Sequence, residues 1–307
     1  MRAVLLVACL LGCSRESEGA PGAFMPPTES QRRQAVGPID ALPPATRRAL
    51  SPQGFEPLGP PAPGDWLAAH PERGQTFADF VRAGPNRPSP ERKTIYLHAL
   101  GPLPDAAPMD RLARQAEAFF GLPGRLGEPL SVERLRPTER RNPGTGVRQL
   151  LTTDILAELR RLLPRDAFCL IAVTDIDLYP DPTWNFVFGQ ASLRDRVGVF
   201  SFARYHAAGE AAEVVLRRAG KVLVHELGHM FGLEHCVYYE CMMNGSNHLG
   251  ETDRRPAHAC PVCLHKLLWS VGFDPAERYR ALEAFYRDAG LADEARFAAE
   301  RRAALTE

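Results

Sequence analysis

The chain has 307 residues, 45% of them apolar, and its 37 lysines and arginines balance 37 aspartates and glutamates, for a formal net charge of zero. That length suggests one or two domains with enough apolar material for a substantial core. A neutral chain with no block of like charge lacks the basic footprint of a nucleic-acid binder and the polybasic patch of a membrane-surface protein, so neither is an expected partner.

The first residues read as an export signal. Met1 and Arg2 precede an apolar run, Ala3 to Leu11, then Gly12 and Cys13. The run is too short to span a bilayer as a helix, and charge, apolar stretch and small residue stand in the order of a secretory leader. Leu10-Leu11-Gly12-Cys13 resembles a bacterial lipobox, which implies a leader over 1–13, a lipid anchor at Cys13 as the one membrane attachment, and a location in the cell envelope. The cytoplasm is the alternative.

Residues 14–90 hold fifteen of the 28 prolines. Most of this stretch is expected to be extended, a tether and surface-docked segment. One part has helical spacing: Phe77, Phe80 and Val81 follow an i, i+3, i+4 pattern behind Trp66 and Leu67, which predicts a short docked helix. Folded character starts near Thr94, and the expected catalytic domain covers 91–272. Ile95 to Leu100 reads as a strand, 109–120 as a helix, and 130–135 as a weaker strand. An amphipathic helix is predicted over 147–163, with Leu151, Ile155, Leu159 and Leu162 aligned and Pro164 just past its end. The continuously apolar run 168–173 suits a central strand covered on both faces, and 186–188 and 197–202 are two more strand candidates. A long helix is expected from about 209 to 232 and a short one over 261–271. Asp274-Pro275-Ala276-Glu277 carries helix-start signals, so 273–307 reads as a helical hairpin, 275–289 and 292–305, broken at Gly290. Alternating strands and helices indicate an α/β fold with a mixed sheet.

The chemistry is concentrated after residue 224. His225-Glu226-Leu227-Gly228-His229 is an HExxH pattern, and residues four apart on a helix share a face, so both imidazoles can reach one ion. A catalytic zinc takes three protein ligands and keeps a position for water. Gly232 can turn the chain by adopting positive φ, which brings His235 back as the third ligand. Bound zinc lowers the pKa of its water to about 7 and polarises a carbonyl. Glu226, next to the first ligand, is then the general base that activates the zinc-bound water for peptide-bond hydrolysis.

Of seven cysteines, Cys9 and Cys13 fall in the leader and Cys169 in an apolar run. Cys236, Cys241, Cys260 and Cys263 form a CxxxxC joined to a CxxC, a pattern that fits a four-thiolate zinc site. In an exported protein the same four can instead form two disulfides. Together with HExxHxxGxxH, the adjacent Cys236, the Cys-x-Met of Cys241 and Met243, and the final CxxC, this arrangement resembles the archaemetzincin family of metallopeptidases. The resemblance covers roughly 90–290 and implies a metzincin-like zincin domain with an active-site helix. It also implies two zinc ions, one catalytic on His225, His229 and His235 and one structural on Cys236, Cys241, Cys260 and Cys263, with Met243 as the apolar floor of the catalytic ion.

Other candidates have plainer readings. His248, His258 and His265 flank a complete thiolate set and read as surface or loop residues. Asp175 and Asp177 read as turn formers, and Tyr238 and Tyr239 as packing. The expected function is a zinc metallopeptidase acting on peptides or proteins, with a substrate strand pairing to the sheet edge near 185–192. The alternative is a non-catalytic, zinc-stabilised binding protein of the envelope, which would have no use for Glu226. A thiol redox protein built on Cys260 and Cys263 would need a thioredoxin-type βα context that the sequence lacks.

Overall fold

The structure is a computed structural model that describes residues 23–104, 107–205 and 210–306. The leader and lipobox lie outside the described residues. The chain divides into two compact units: Asn86–Phe231 is the first, and the stretches flanking it, up to Pro85 and from Gly232, form the second.

The first unit is α/β. Its strands are β1 (Thr94–Ala99), β2 (Gly124–Leu126), β3 (Glu139–Arg141), β4 (Arg148–Leu151), β5 (Ala167–Thr174), β6 (Asp177–Tyr179), β7 (Gly189–Ala191) and β8 (Val197–Ser201). A five-stranded sheet has the order β2-β1-β5-β8-β7, parallel except for β7, which runs antiparallel to β8. A three-stranded sheet has the order β3-β4-β6. All eight residues of β5 are buried. Leu170 and Ala172 join a core with Ile155, Leu156 and Leu159 of the helix Thr152–Leu162. By the two-residue alternation of a strand, Cys169, Ile171 and Val173 point to the opposite face. Coverage of both faces is why this strand is apolar from Ala167 to Val173, with Thr174 its one polar residue.

Three expected elements differ. Residues 130–135 contain the short helix Val132–Leu135, because the Ser131 side chain accepts from the Arg134 N–H and caps a turn. The helix expected over 147–163 starts only at Thr152, since Arg148–Leu151 is β4. Its apolar stripe began at Leu151, so the helical period never extended over the four residues before it. The strand expected at 186–188 lies just downstream as β7, while Val187 makes a single antiparallel bridge to Leu178.

The second unit holds the other correction. Residues 23–85, expected to be largely extended, contain the helices Glu29–Val36, Pro44–Ala49, Trp66–Ala69 and Phe77–Arg82. Capping boxes at Thr28–Gln31 and Thr76–Asp79 start two of them, and Pro44 sits at a first helical position, where proline costs nothing. Ala49, Leu50, Phe55, Trp66 and Phe80 are buried. The segment is tied to the C-terminal half of the same unit: Arg48 Nε donates to the Leu305 carbonyl at 2.7 Å, and the Arg301 guanidinium lies over the Phe55 ring. The helical hairpin is present as Pro275–Asp288 and Ala292–Ala303, turning at Gly290 with φ 74°.

Candidate metal centres

The helix Ala212–Met230 carries the HExxH residues, and its positions 219–230 are all buried. Such a helix can sit within a unit only if its backbone approaches its neighbours closely. At Gly220 a Cβ would stand 2.2 Å from the Gln115 amide oxygen, and at Gly198 of β8 one would stand 2.6 Å from the Met230 methyl. Phe231, capping the helix end, stacks on Phe168 with ring centroids 4.2 Å apart. The C-terminal turn of the helix is thereby fixed against the sheet.

His225 and His229, one turn apart, bring their Nε2 atoms to 3.1 Å. Two nitrogens at about 2.0–2.1 Å from a tetrahedral zinc stand about 3.3 Å apart, so the pair fits the edge of one coordination shell. Glu226 is 3% exposed and lies against β7. A Cβ at Gly189 would be 2.7 Å from Glu226 Oε1 and 2.9 Å from its Cγ and Cδ, so the carboxylate rests on bare strand backbone. β7 is the terminal strand of its sheet, and the loop entering it is pinned. Gln149 Nε2 donates both to Asp177 Oδ2 and to the Asn185 carbonyl at 2.8 Å, and Arg140 donates to the Pro182 carbonyl at 3.0 Å.

In the second unit, Gly232 has φ 88°, and a Cβ there would meet Pro85 at 2.7 Å, so both torsion and space call for glycine. His235 follows, buried, with Nδ1 2.8 Å from Glu72 Oε1.

Cys236, Cys241, Cys260 and Cys263 are buried free thiols whose sulfur atoms all lie within 4.8 Å of one another. Cys236 Sγ and Cys260 Sγ are 3.5 Å apart, against about 2.05 Å for a disulfide and about 3.8 Å for two ligands of a tetrahedral Zn–S site. The donor set fits a thiophilic ion. Burial alone would push Cys236 up, yet hydrogen bonds from Cys241, Cys260 and Cys263 hold it well below the ordinary thiol value. Burial and then the bond to Cys236 hold Cys260 well above it. The cluster thus favours a thiolate even before a cation arrives. Cys260 is the N-cap residue of the helix Pro261–Val271, which places Cys263 in its first turn, and hydrogen bonding to Cys236 and Cys241 holds the Cys263 thiol well above its ordinary value. Cys260 N–H also donates to Cys241 Sγ at 3.3 Å.

Asn244, which the sequence reading passed over, fixes the loop between the cysteine pairs. It accepts from Cys241 N–H at 2.6 Å and donates to the carbonyls of Cys236 at 2.7 Å and Tyr239 at 3.0 Å. The Asn244-Gly245 dipeptide is a turn signal that could have marked it. Met243 is fully buried, and its carbonyl accepts from Cys236 N–H at 2.9 Å.

Of the remaining histidines, His248 caps the helix Leu249–Arg254 and His258 stacks on Phe297. His265 is not a surface or loop residue: it is buried in the helix Pro261–Val271, where Nδ1 donates to the Val36 carbonyl at 2.7 Å and the ring stacks on Phe77. Asp177 is more than a turn former, because both of its oxygens accept from Arg204 at 2.8 Å within β6. Tyr238 and Tyr239 are buried, and desolvation raises the Tyr238 hydroxyl to about 12.

Comparison with known proteins identifies the family. The model of Peptidase family M54 matches residues 147–268. Human Archaemetzincin-2 is 42% identical over 271 residues, covering 76% of this chain and 75% of that protein. Mouse Archaemetzincin-1 is 33% identical over 260 residues, covering 73% and 52%. An archaemetzincin structure from Methanopyrus kandleri is 30% identical, with a TM-score of 0.48 over 60% of this chain and 97% of that one. With a curated relative this similar over three quarters of its length, the chain belongs to the archaemetzincin family and is a zinc metallopeptidase.

Proposed function

We propose that His225, His229 and His235 hold one catalytic zinc ion and that Glu226 is the general base of peptide-bond hydrolysis. The observation that carries this reading is the 3.1 Å approach of the His225 and His229 Nε2 atoms on one helix, with the buried carboxylate of Glu226 directly after the first of them. The positive φ of Gly232 supports His235 as the third ligand, since it reverses the chain directly after the helix. When bound, the ion supplies Lewis-acid polarisation and a lowered pKa for water. Glu226 takes the proton of the attacking water and returns it to the leaving amine. A non-catalytic role gives a buried base no task. Cleavage of an unstructured peptide library by wild type but not by Glu226→Gln tests the assignment.

The same reading gives Cys236, Cys241, Cys260 and Cys263 a second, structural zinc, with Met243 as the apolar floor of the catalytic site. It also places an extended substrate along β7, the terminal strand of its sheet among the described residues. Gly189 in that strand is the platform on which Glu226 rests. Gly189→Ala displaces the carboxylate and is expected to lower kcat by up to about 100-fold with zinc content unchanged. Full kcat in that variant would show that the position of Glu226 on the strand is immaterial.

For location, the proposal is a lipid anchor at Cys13 in the cell envelope, resting on the sequence Leu10-Leu11-Gly12-Cys13 behind the apolar run Ala3 to Leu11. Cys13→Ser is expected to abolish lipid labelling and release the protein from membranes. Unprocessed cytoplasmic protein with Met1 intact is the result that contradicts it.

A further inference from the structure

We infer that Glu72, from the proline-rich stretch 14–90, is the positioning residue of the third zinc ligand. The inference rests on the ligand set proposed above and goes beyond it. Glu72 Oε1 lies 2.8 Å from His235 Nδ1. An ionised carboxylate can only accept, so Nδ1 carries the proton and Nε2 carries the lone pair that a metal needs. One hydrogen bond thus selects the ligating tautomer, sets the plane of the ring and raises the basicity of its donor nitrogen.

The carboxylate is itself held. Trp66 Nε1 donates to the same oxygen at 2.7 Å, and the indole meets the His235 ring edge-on with centroids 5.1 Å apart. The indole packs flat onto Gly245, where a Cβ would stand 2.4 Å from Trp66 Cδ1. A second clamp acts on the turn that leads to the ligand. Gln75 Nε2 donates to the Gly232 carbonyl at 3.2 Å, and Gln75 Oε1 accepts from Glu234 N–H at 3.4 Å. The buried Lys266 ammonium donates to that Gln75 oxygen at 2.9 Å and to the Gln75 backbone carbonyl. Residues 66–75 therefore grip His235 at its imidazole and at the backbone three residues before it. A stretch that reads as spacer is part of the metal site's support.

The test is zinc affinity. The ion that His235→Ala removes is titrated against a competing chelator in wild type, Glu72→Gln and Glu72→Ala, and the visible spectrum of each cobalt(II)-substituted protein is recorded. Loss of such a carboxylate partner costs about 10- to 100-fold in metal affinity. Glu72→Ala is expected to fall in that range with an altered cobalt spectrum. Glu72→Gln keeps an acceptor oxygen of the same reach and is expected to recover part of the loss. The thermal midpoint of the chelator-stripped proteins should differ little. Wild-type affinity and spectrum in Glu72→Ala, with the ion lost in His235→Ala, overturns this inference and spares the ligand set. A weaker ion that merely tracks a lowered midpoint, with an unchanged spectrum, assigns Glu72 to packing and also overturns it. If His235→Ala removes no ion, the ligand set fails and this inference with it.

Discussion

Replacing Glu226 with glutamine is expected to lower kcat and kcat/KM for peptide hydrolysis together, by about 10²- to 10⁴-fold, with fold and zinc content retained. The range is that of a positioned general base. Parallel loss in both constants marks an interaction that matters in the transition state and not in substrate binding. Glutamine fills the same volume against Gly189, so no cavity opens beside the metal ligands. Alanine at 226 should lose as much activity, but it removes buried side-chain volume as well, which makes it the less clean comparison. His225 and His229 keep their places, since they are held by a helix whose last three turns are wholly buried. The measurement is turnover of a peptide substrate at saturating and limiting concentrations, with zinc determined on the same samples. Turnover equal to wild type in either variant would remove Glu226 from the mechanism.

The elements that position the catalytic helix were legible because each carries one strong local signal. The all-apolar run of β5 could only be a strand covered on both faces, and the helix Ala212–Met230 announced itself through its buried valines and its HExxH spacing. The short strands were not legible for a physical reason. β2, β3, β6 and β7 have three residues each, too few for any period to develop, and they exist because a neighbour supplies their hydrogen bonds. β4 merged with the following helix for the same reason, since Leu150 and Leu151 suit either state until β6 pairs with them.

The donor atoms of both candidate centres were legible almost completely, because metal chemistry restricts residue type and spacing together. Their supports were not. Glu72 and Gln75 stand in a stretch whose proline content argues for extended chain, and no local pattern connects them to His235, 163 residues away from Glu72. Prolines at helix starts and between short helices are compatible with a packed segment, provided that apolar residues such as Trp66 and Phe80 find a core. That condition is tertiary, and composition cannot report it. Gly189 escaped likewise, since its importance lies in what a side chain there would strike.

The cysteine cluster gives the second large effect. Wild type is expected to hold about two zinc ions per chain, and a Cys260→Ser, Cys263→Ser double variant about one, with His225, His229 and His235 intact. A disulfide would require the 3.5 Å between Cys236 Sγ and Cys260 Sγ to close to about 2.05 Å, and the bonds Asn244 makes to the Cys236 carbonyl and the Cys241 N–H resist that movement. Four buried sulfurs within 4.8 Å of one another, with Cys236 favoured as thiolate and its Sγ 3.5 Å from that of Cys260, make a stronger case for cation binding than for oxidation. Structural zinc binding is itself folding free energy. The double variant should therefore also melt lower, by about 10 °C or more. The loss should begin in the loop 236–260 that the site closes. Elemental analysis, thiol titration after denaturation in chelator and a melting curve make the comparison. One zinc in wild type with no titratable thiols among these four would establish two disulfides and overturn the second metal site.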